Sequence, residues 1–187
     1  MKEIDCKGLS YLKTLRQIKK YFNSIGEGEA IVTVSSELGR SNVIRIAAHQ
    51  GYQVEEDEEN RFSVRLEKRG CLEMEAEDEI FSILVTSDKI GEGELGKELM
   101  KEYFEVLNEC DNIPREILFL NSGVKLFNNN SDILEEIRLL YKKGVIILIS
   151  DTSLDYYNLK EDITFGEIAN MYDIVIHMKK SKHIIKL

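Results

Sequence analysis

Cysteine is scarce in this chain and nowhere clustered: Cys6, Cys71 and Cys110 are odd in number and far apart. No CxxC occurs, which excludes a disulfide framework and denies a zinc site its paired ligands. HExxH and close Asp/His pairings are also missing, so no metal or other cofactor is expected. The three histidines, His49, His177 and His183, are accompanied by no glycine-elbow serine, and a serine hydrolase lacks its triad. No apolar run approaches the roughly 20 residues that a spanning helix needs. The opening MKEIDCKG lacks the charged and apolar regions of a signal peptide. The expectation is a soluble protein of a reducing cytoplasm, with no membrane partner.

Positive charge is short as well. The chain holds 25 Lys and Arg against 34 Asp and Glu, a net charge of −9. Residues 1–70 carry 12 basic and 11 acidic side chains, whereas residues 71–187 carry 13 and 23. This argues against nucleic acid as a partner, because neutralising phosphates takes clustered Lys and Arg. One basic face, Lys13, Arg16, Lys19 and Lys20, reads either as a solvated helix surface or as a dock for an acidic protein or an anion.

What is present suffices for two small cores: 187 residues, 43% of them hydrophobic. Lys2 to Cys6 reads as a strand. A helix follows from Tyr11, with Leu15, Ile18, Phe22 and Ile25 at spacings of three and four and Ser10 placed to cap it. Ala30 to Ser35 alternates as a strand does, Arg40 to Gln50 is helical, and Gly51 closes that helix. Tyr52 to Glu56 and Phe62 to Glu67 form a hairpin around the acidic turn Asp57 to Asn60. Residues 1–70 are thus a βαβαββ two-layer sandwich. Residues 71–79, rich in Glu and Asp, read as an acidic linker. In residues 80–187, strands at Ile80 to Thr86, Glu116 to Leu120 and Val145 to Ile149 alternate with helices at Glu94 to Glu109 and Asp132 to Lys143. A helix from Phe165 to about His177 and a strand from Lys182 to Leu187 complete a doubly wound parallel α/β sheet.

Three polar loops follow three apolar strands here. In open α/β sheets the ligand crevice lies outside the carboxyl ends of the strands, so these loops should converge into a pocket. Its candidates are Gly91, Gly93, Asn121, Ser122, Gly123, Asp151, Thr152 and Ser153. The first loop, Gly91-Glu92-Gly93-Glu94-Leu95-Gly96, is formally a GxGxxG between a strand and a helix, where backbone amides could hold an anion or nucleotide. Glu92 and Glu94 oppose a phosphate, and a capped glycine turn explains the same residues. Ser150 and Ser153 flank Asp151 and Thr152 directly after a buried strand. Serine has no accessible ionisation there without a base, so capping and turn roles compete with any catalytic one.

Asp5-Cys6-Lys7-Gly8-Leu9-Ser10 followed by a helix resembles the opening of TusA/SirA-like sulfur-carrier domains. In that family a Cys-Pro-x-Pro motif follows, its cysteine carrying the persulfide. Those four positions here read Tyr11-Leu12-Lys13-Thr14. The second half resembles the DsrE-like domain that follows a TusA-like one in the YedF family of sulfurtransferase-like selenium metabolism proteins. The resemblance rests on Leu95 to Met100, Pro114, Phe119 to Leu126, Leu154-Asp155-Tyr156-Tyr157, Gly166-Glu167-Ile168 and Asn170-Met171-Tyr172. Where family members commonly carry Cys-Gly-Thr-Cys, this chain has Ser150-Asp151-Thr152-Ser153. The resemblance implies sulfur or selenium handling, sulfur- or selenium-transfer proteins as partners and a homo-oligomer. The departures imply that catalysis is lost at Tyr11, Ser150 and Ser153 and that binding or docking remains. A sulfurtransferase using a non-family cysteine such as Cys6 is the competing enzymatic reading, and Cys6 at a strand end also reads as structural.

Overall fold

In a computed structural model the chain divides into two compact units, Met1–Glu75 and Ala76–Leu187. The structure describes residues 1–56, 60, 62–69 and 80–187. The acidic linker expected at 71–79 and most of the turn from Asp57 lie outside the described residues.

The first unit runs β1 (Lys2–Asp5), α1 (Tyr11–Phe22), β2 (Gly28–Thr33), α2 (Glu37–His49), β3 (Gln53–Glu56) and β4 (Ser63–Lys68). Its sheet has the order β1-β2-β4-β3, with β1 parallel to β2 and the other pairs antiparallel. Alternation turns Ala30 and Val32 of β2 inward with Val64 and Leu66 of β4. Against them pack Ile18 and Phe22 of α1 and Val43 and Ala47 of α2, all of them fully buried. Two expectations need correction. Ser10 occupies the N-cap position of α1, but its side chain makes no capping hydrogen bond; only its carbonyl takes part, accepting from the Thr14 amide. The second helix begins earlier than its apolar pattern, at Glu37, because the Ser36 hydroxyl accepts from the Gly39 amide.

The second unit runs β5 (Phe81–Val85), α3 (Gly93–Glu109), β6 (Glu116–Phe119), a 3-10 helix (Asn121–Phe127) and α4 (Leu134–Lys142). It continues through β7 (Ile146–Ser150), α5 (Asp151–Tyr157), a 3-10 turn (Lys160–Asp162), β8 (Glu167–Ala169), α6 (Met171–Lys180) and β9 (His183–Lys186). The sheet is parallel throughout, in the order β8-β7-β6-β5-β9. Ile117 and Phe119 of β6 face a large core built with Met100 and Phe104 of α3, Ile137 and Leu140 of α4 and Leu154 of α5. Leu118 and Leu148 face the other way, onto Ile174 of α6. Helices therefore cover both faces of the sheet, and α6 spans the second face on its way from one edge to the other.

The helix expected from Phe165 to about His177 divides instead into β8 and α6. Gly166 has φ +86, and a Cβ there would meet Ile147 and Ile149 at 3.0 and 3.1 Å, so the chain enters an extended edge strand beside β7. Asn170 then restarts the helix, its side chain accepting from the Asp173 amide.

Candidate functional site

The carboxyl ends of β5, β6 and β7 bring two of the three polar loops into direct contact. Asn121 follows β6 with φ +48, a left-handed conformation that asparagine tolerates better than other side chains. It is held from two sides. Its amide donates to Ser153 Oγ at 2.9 Å, and its Oδ1 accepts from the Tyr157 hydroxyl at 3.2 Å. The Lys125 ammonium sits 4.5 Å from the centre of the Tyr157 ring and closes this patch as a cation–π contact.

Ser153 Oγ in turn donates to Ser150 Oγ at 3.0 Å, and Ser150 Oγ also accepts from the Ser153 amide at 3.3 Å. Ser150 is 1% exposed. Both hydroxyls are thus engaged inside the protein: one caps α5 and the other tethers Asn121. Next to them, Asp151 Oδ1 accepts from the Thr152 amide at 2.5 Å and the Thr152 hydroxyl at 3.0 Å. These contacts include no histidine to act as a base. Among the described residues, no group of three His, Cys, Asp or Glu side chains is arranged to hold a metal.

Gly123 is buried beneath this patch, against the end of β5. A Cβ at that position would lie 2.6 Å from the Val85 carbonyl oxygen, and main chain cannot give way there. Gly123→Ala should lower unfolding free energy by about 1–3 kcal/mol, the usual cost of overpacking, read from the urea midpoint. Ser122 is half-buried.

Gly91 and Gly93 take part in none of these contacts. Both have positive φ and open space around them, at the start of α3. Two of the loop's amides are already spent within it, Ile90 donating to the Gly96 carbonyl and Gly96 to that of Glu92. Glu92 and Glu94 pair with Lys89 and Lys97. A hollow of about 400 Å³ opens beside this loop, lined by Asp88, Glu94, Lys97, Glu98, Lys101 and Lys125 among others, and none of the eight pocket candidates lines it.

In the first unit Tyr11 opens α1, half-buried against the core, and Cys6 is 2% exposed. Burial pushes the Cys6 thiol above its ordinary value. A hydrogen bond with the Thr14 side chain opposes that rise, and the Asp5 charge adds to it. A thiol both covered and harder to ionise is a poor nucleophile.

Sequence reasoning missed one buried polar cluster. Glu116, the first residue of β6, is 2% exposed on the face covered by α6. Its carboxylate accepts from Ser82 Oγ at 3.0 Å and Ser181 Oγ at 3.2 Å, and lies 2.6 Å from His177 Nδ1; the two serine hydroxyls also touch each other. The serines contact the carboxylate rather than the imidazole, so this is not the nucleophile–base–acid order of a hydrolase. An acidic residue opening an otherwise apolar central strand was the one available signal.

Comparison with known proteins adds little to this geometry. No family model matches the chain, and no curated protein matches it. Among solved structures, the crystal structure of the ychN protein of E. coli is similar at a TM-score of 0.45 and 10% identity, covering 58% of this chain and 99% of that one. The functional reading rests on this chain's own residues.

Proposed function

We propose that the chain is a YedF-like protein of sulfur or selenium metabolism that has lost persulfide chemistry and acts as a binding or docking module. The order of the units supports this reading: a βαβαββ sandwich followed by a parallel α/β unit, with the motif residues of the resemblance in α3, in α5 and around the ends of β6 and β8. One observation carries the loss of chemistry. Ser150 and Ser153, which stand at the family's thiol positions, are bound to each other, and Ser153 also accepts from the Asn121 amide. Tyr11 packs on its core as an apolar residue would, and Cys6 is buried. Proteins that carry sulfur or selenium on their own cysteines are the corresponding partners.

A persulfidated donor protein carrying labelled sulfane sulfur tests the reading. After mixing with the folded chain and trapping by alkylation, the label should remain on the donor. Label recovered on Cys6, Cys71 or Cys110 would overturn the proposal in favour of a sulfurtransferase with a relocated cysteine.

A further inference from the structure

The buried cluster on β6 leaves one reactive atom at the surface. Glu116 Oε2 lies 2.6 Å from His177 Nδ1, while the hydroxyls of Ser82 and Ser181 both donate to Oε1. A carboxylate only accepts, so the ring proton is on Nδ1 and the lone pair on Nε2. The imidazole side chain is 28% exposed. Because Nδ1 is turned to a buried carboxylate, that exposure belongs to the opposite edge of the ring, where Nε2 has no hydrogen-bond partner among the described residues. A carboxylate on one ring nitrogen fixes the imidazole and makes the other nitrogen a better electron-pair donor.

The surrounding charge favours an anionic electrophile. Lys180, three residues on and so on the same side of α6, is exposed and forms no ion pair among the described residues. Lys179 and Lys182 add to the positive charge at this end of the helix, and Asp173, four residues before His177, is the only acidic residue of α6. We infer that His177 Nε2 is a phosphoryl-accepting nucleophile, with Glu116 as its positioning residue and small phosphoryl donors, acyl phosphates or phosphoramidates, as the substrate class. The Nε2 lone pair forms the N–P bond. The donor's P–O or P–N bond breaks, and its electron pair leaves with the carboxylate or as ammonia. The phosphorylated ring keeps its proton on Nδ1 and becomes positive, and the Glu116 carboxylate already stands at hydrogen-bond distance to offset that charge.

The chain carries its own controls. His49 and His183 are more exposed than His177, and neither has a carboxylate against it among the described residues. The full-length chain is treated with phosphoramidate, and the acid-labile phosphate is mapped by tandem mass spectrometry under alkaline conditions. It should form on His177 at least about tenfold faster than on His49 or His183, against the order of exposure. Long-range proton–nitrogen NMR should show His177 as the Nδ1–H tautomer. In Glu116→Gln the amide oxygen takes the two serine hydroxyls and the amide NH2 turns to Nδ1, which moves the ring proton to Nε2. Labelling of His177 should then fall about tenfold or more, with His49 and His183 unchanged. The change of tautomer is a signature that a merely structural glutamate would not give, and thermal unfolding checks that the variant is folded. Labelling that follows exposure, with His49 or His183 ahead of His177, overturns the inference. So does an Nε2–H tautomer in the wild-type chain, or undiminished labelling of His177 in a folded Glu116→Gln. Should that variant unfold, the order of the three histidines and the wild-type tautomer decide alone.

Discussion

Glu116→Leu should destabilise the second unit by about 3 kcal/mol, against about 0.5 kcal/mol for an ordinary surface change. The side chain is almost fully buried and satisfies three groups, the hydroxyls of Ser82 and Ser181 and the His177 ring. A leucine fills much of the space but accepts nothing, so the buried Ser82 hydroxyl, the half-buried Ser181 hydroxyl and the His177 imidazole lose one acceptor together. Glu116→Gln keeps an acceptor oxygen and should cost less. The effect is expected to concentrate in α6. His177 and Ser181 belong to its last turn and C-cap, and beyond them the helix is anchored mainly by Ile174. Urea unfolding gives the free energy, and hydrogen exchange at residues 171–181 gives the place. A loss under ~0.5 kcal/mol, with protection in α6 unchanged, would show that apolar packing alone holds the helix to the sheet.

That cluster also marks where sequence reading reached its limit. Periodicity placed most of the regular elements, because α1, α2 and α3 repeat their apolar residues at helical spacing and β5, β6 and β7 are short apolar runs between polar loops. The rule that ligand loops gather at the carboxyl ends of parallel strands foresaw that the segments after Leu120 and Ile149 would be neighbours. It could not supply the hydrogen bond from the Asn121 amide to Ser153, which depends on the left-handed turn at Asn121. Glu116, Ser82, His177 and Ser181 were harder still. They come from three separate stretches of chain, and only the parallel register of β5 with β6, with α6 laid across them, makes them one group. The strand β8 escaped for a related reason. Three residues are too few to show a period, and what makes them a strand is the open edge of β7 together with the tight packing of Gly166.

Ser153→Cys should give a thiol that ionises below the ~8.5 of free cysteine. The position sits in the first turn of α5, where amide dipoles favour negative charge. A thiolate there would keep the Asn121 amide as a donor, and the Ser150 hydroxyl, which now accepts from Ser153, becomes free to donate to it. Asp151 opposes this. Its carboxylate lies in the same turn, already engaged by Thr152, and its charge raises the cost of a second anion nearby. Asp151→Gly should therefore make the introduced thiol more acidic still and enlarge the thiolate fraction that alkylation reads at neutral pH, severalfold to about tenfold. The measurement is the pH dependence of alkylation for Ser153→Cys with and without Asp151→Gly, in a background lacking Cys6, Cys71 and Cys110, followed by exposure to a persulfide donor. Acceptance of sulfur by the double variant, where the wild-type loop accepts none, would mean that the electrostatic frame of a carrier outlived its nucleophile. Thiols that ionise near ~8.5 in both variants would mean that the hydroxyl network now serves only to tether Asn121 to α5, and the loop would then be a scaffold rather than a silenced carrier.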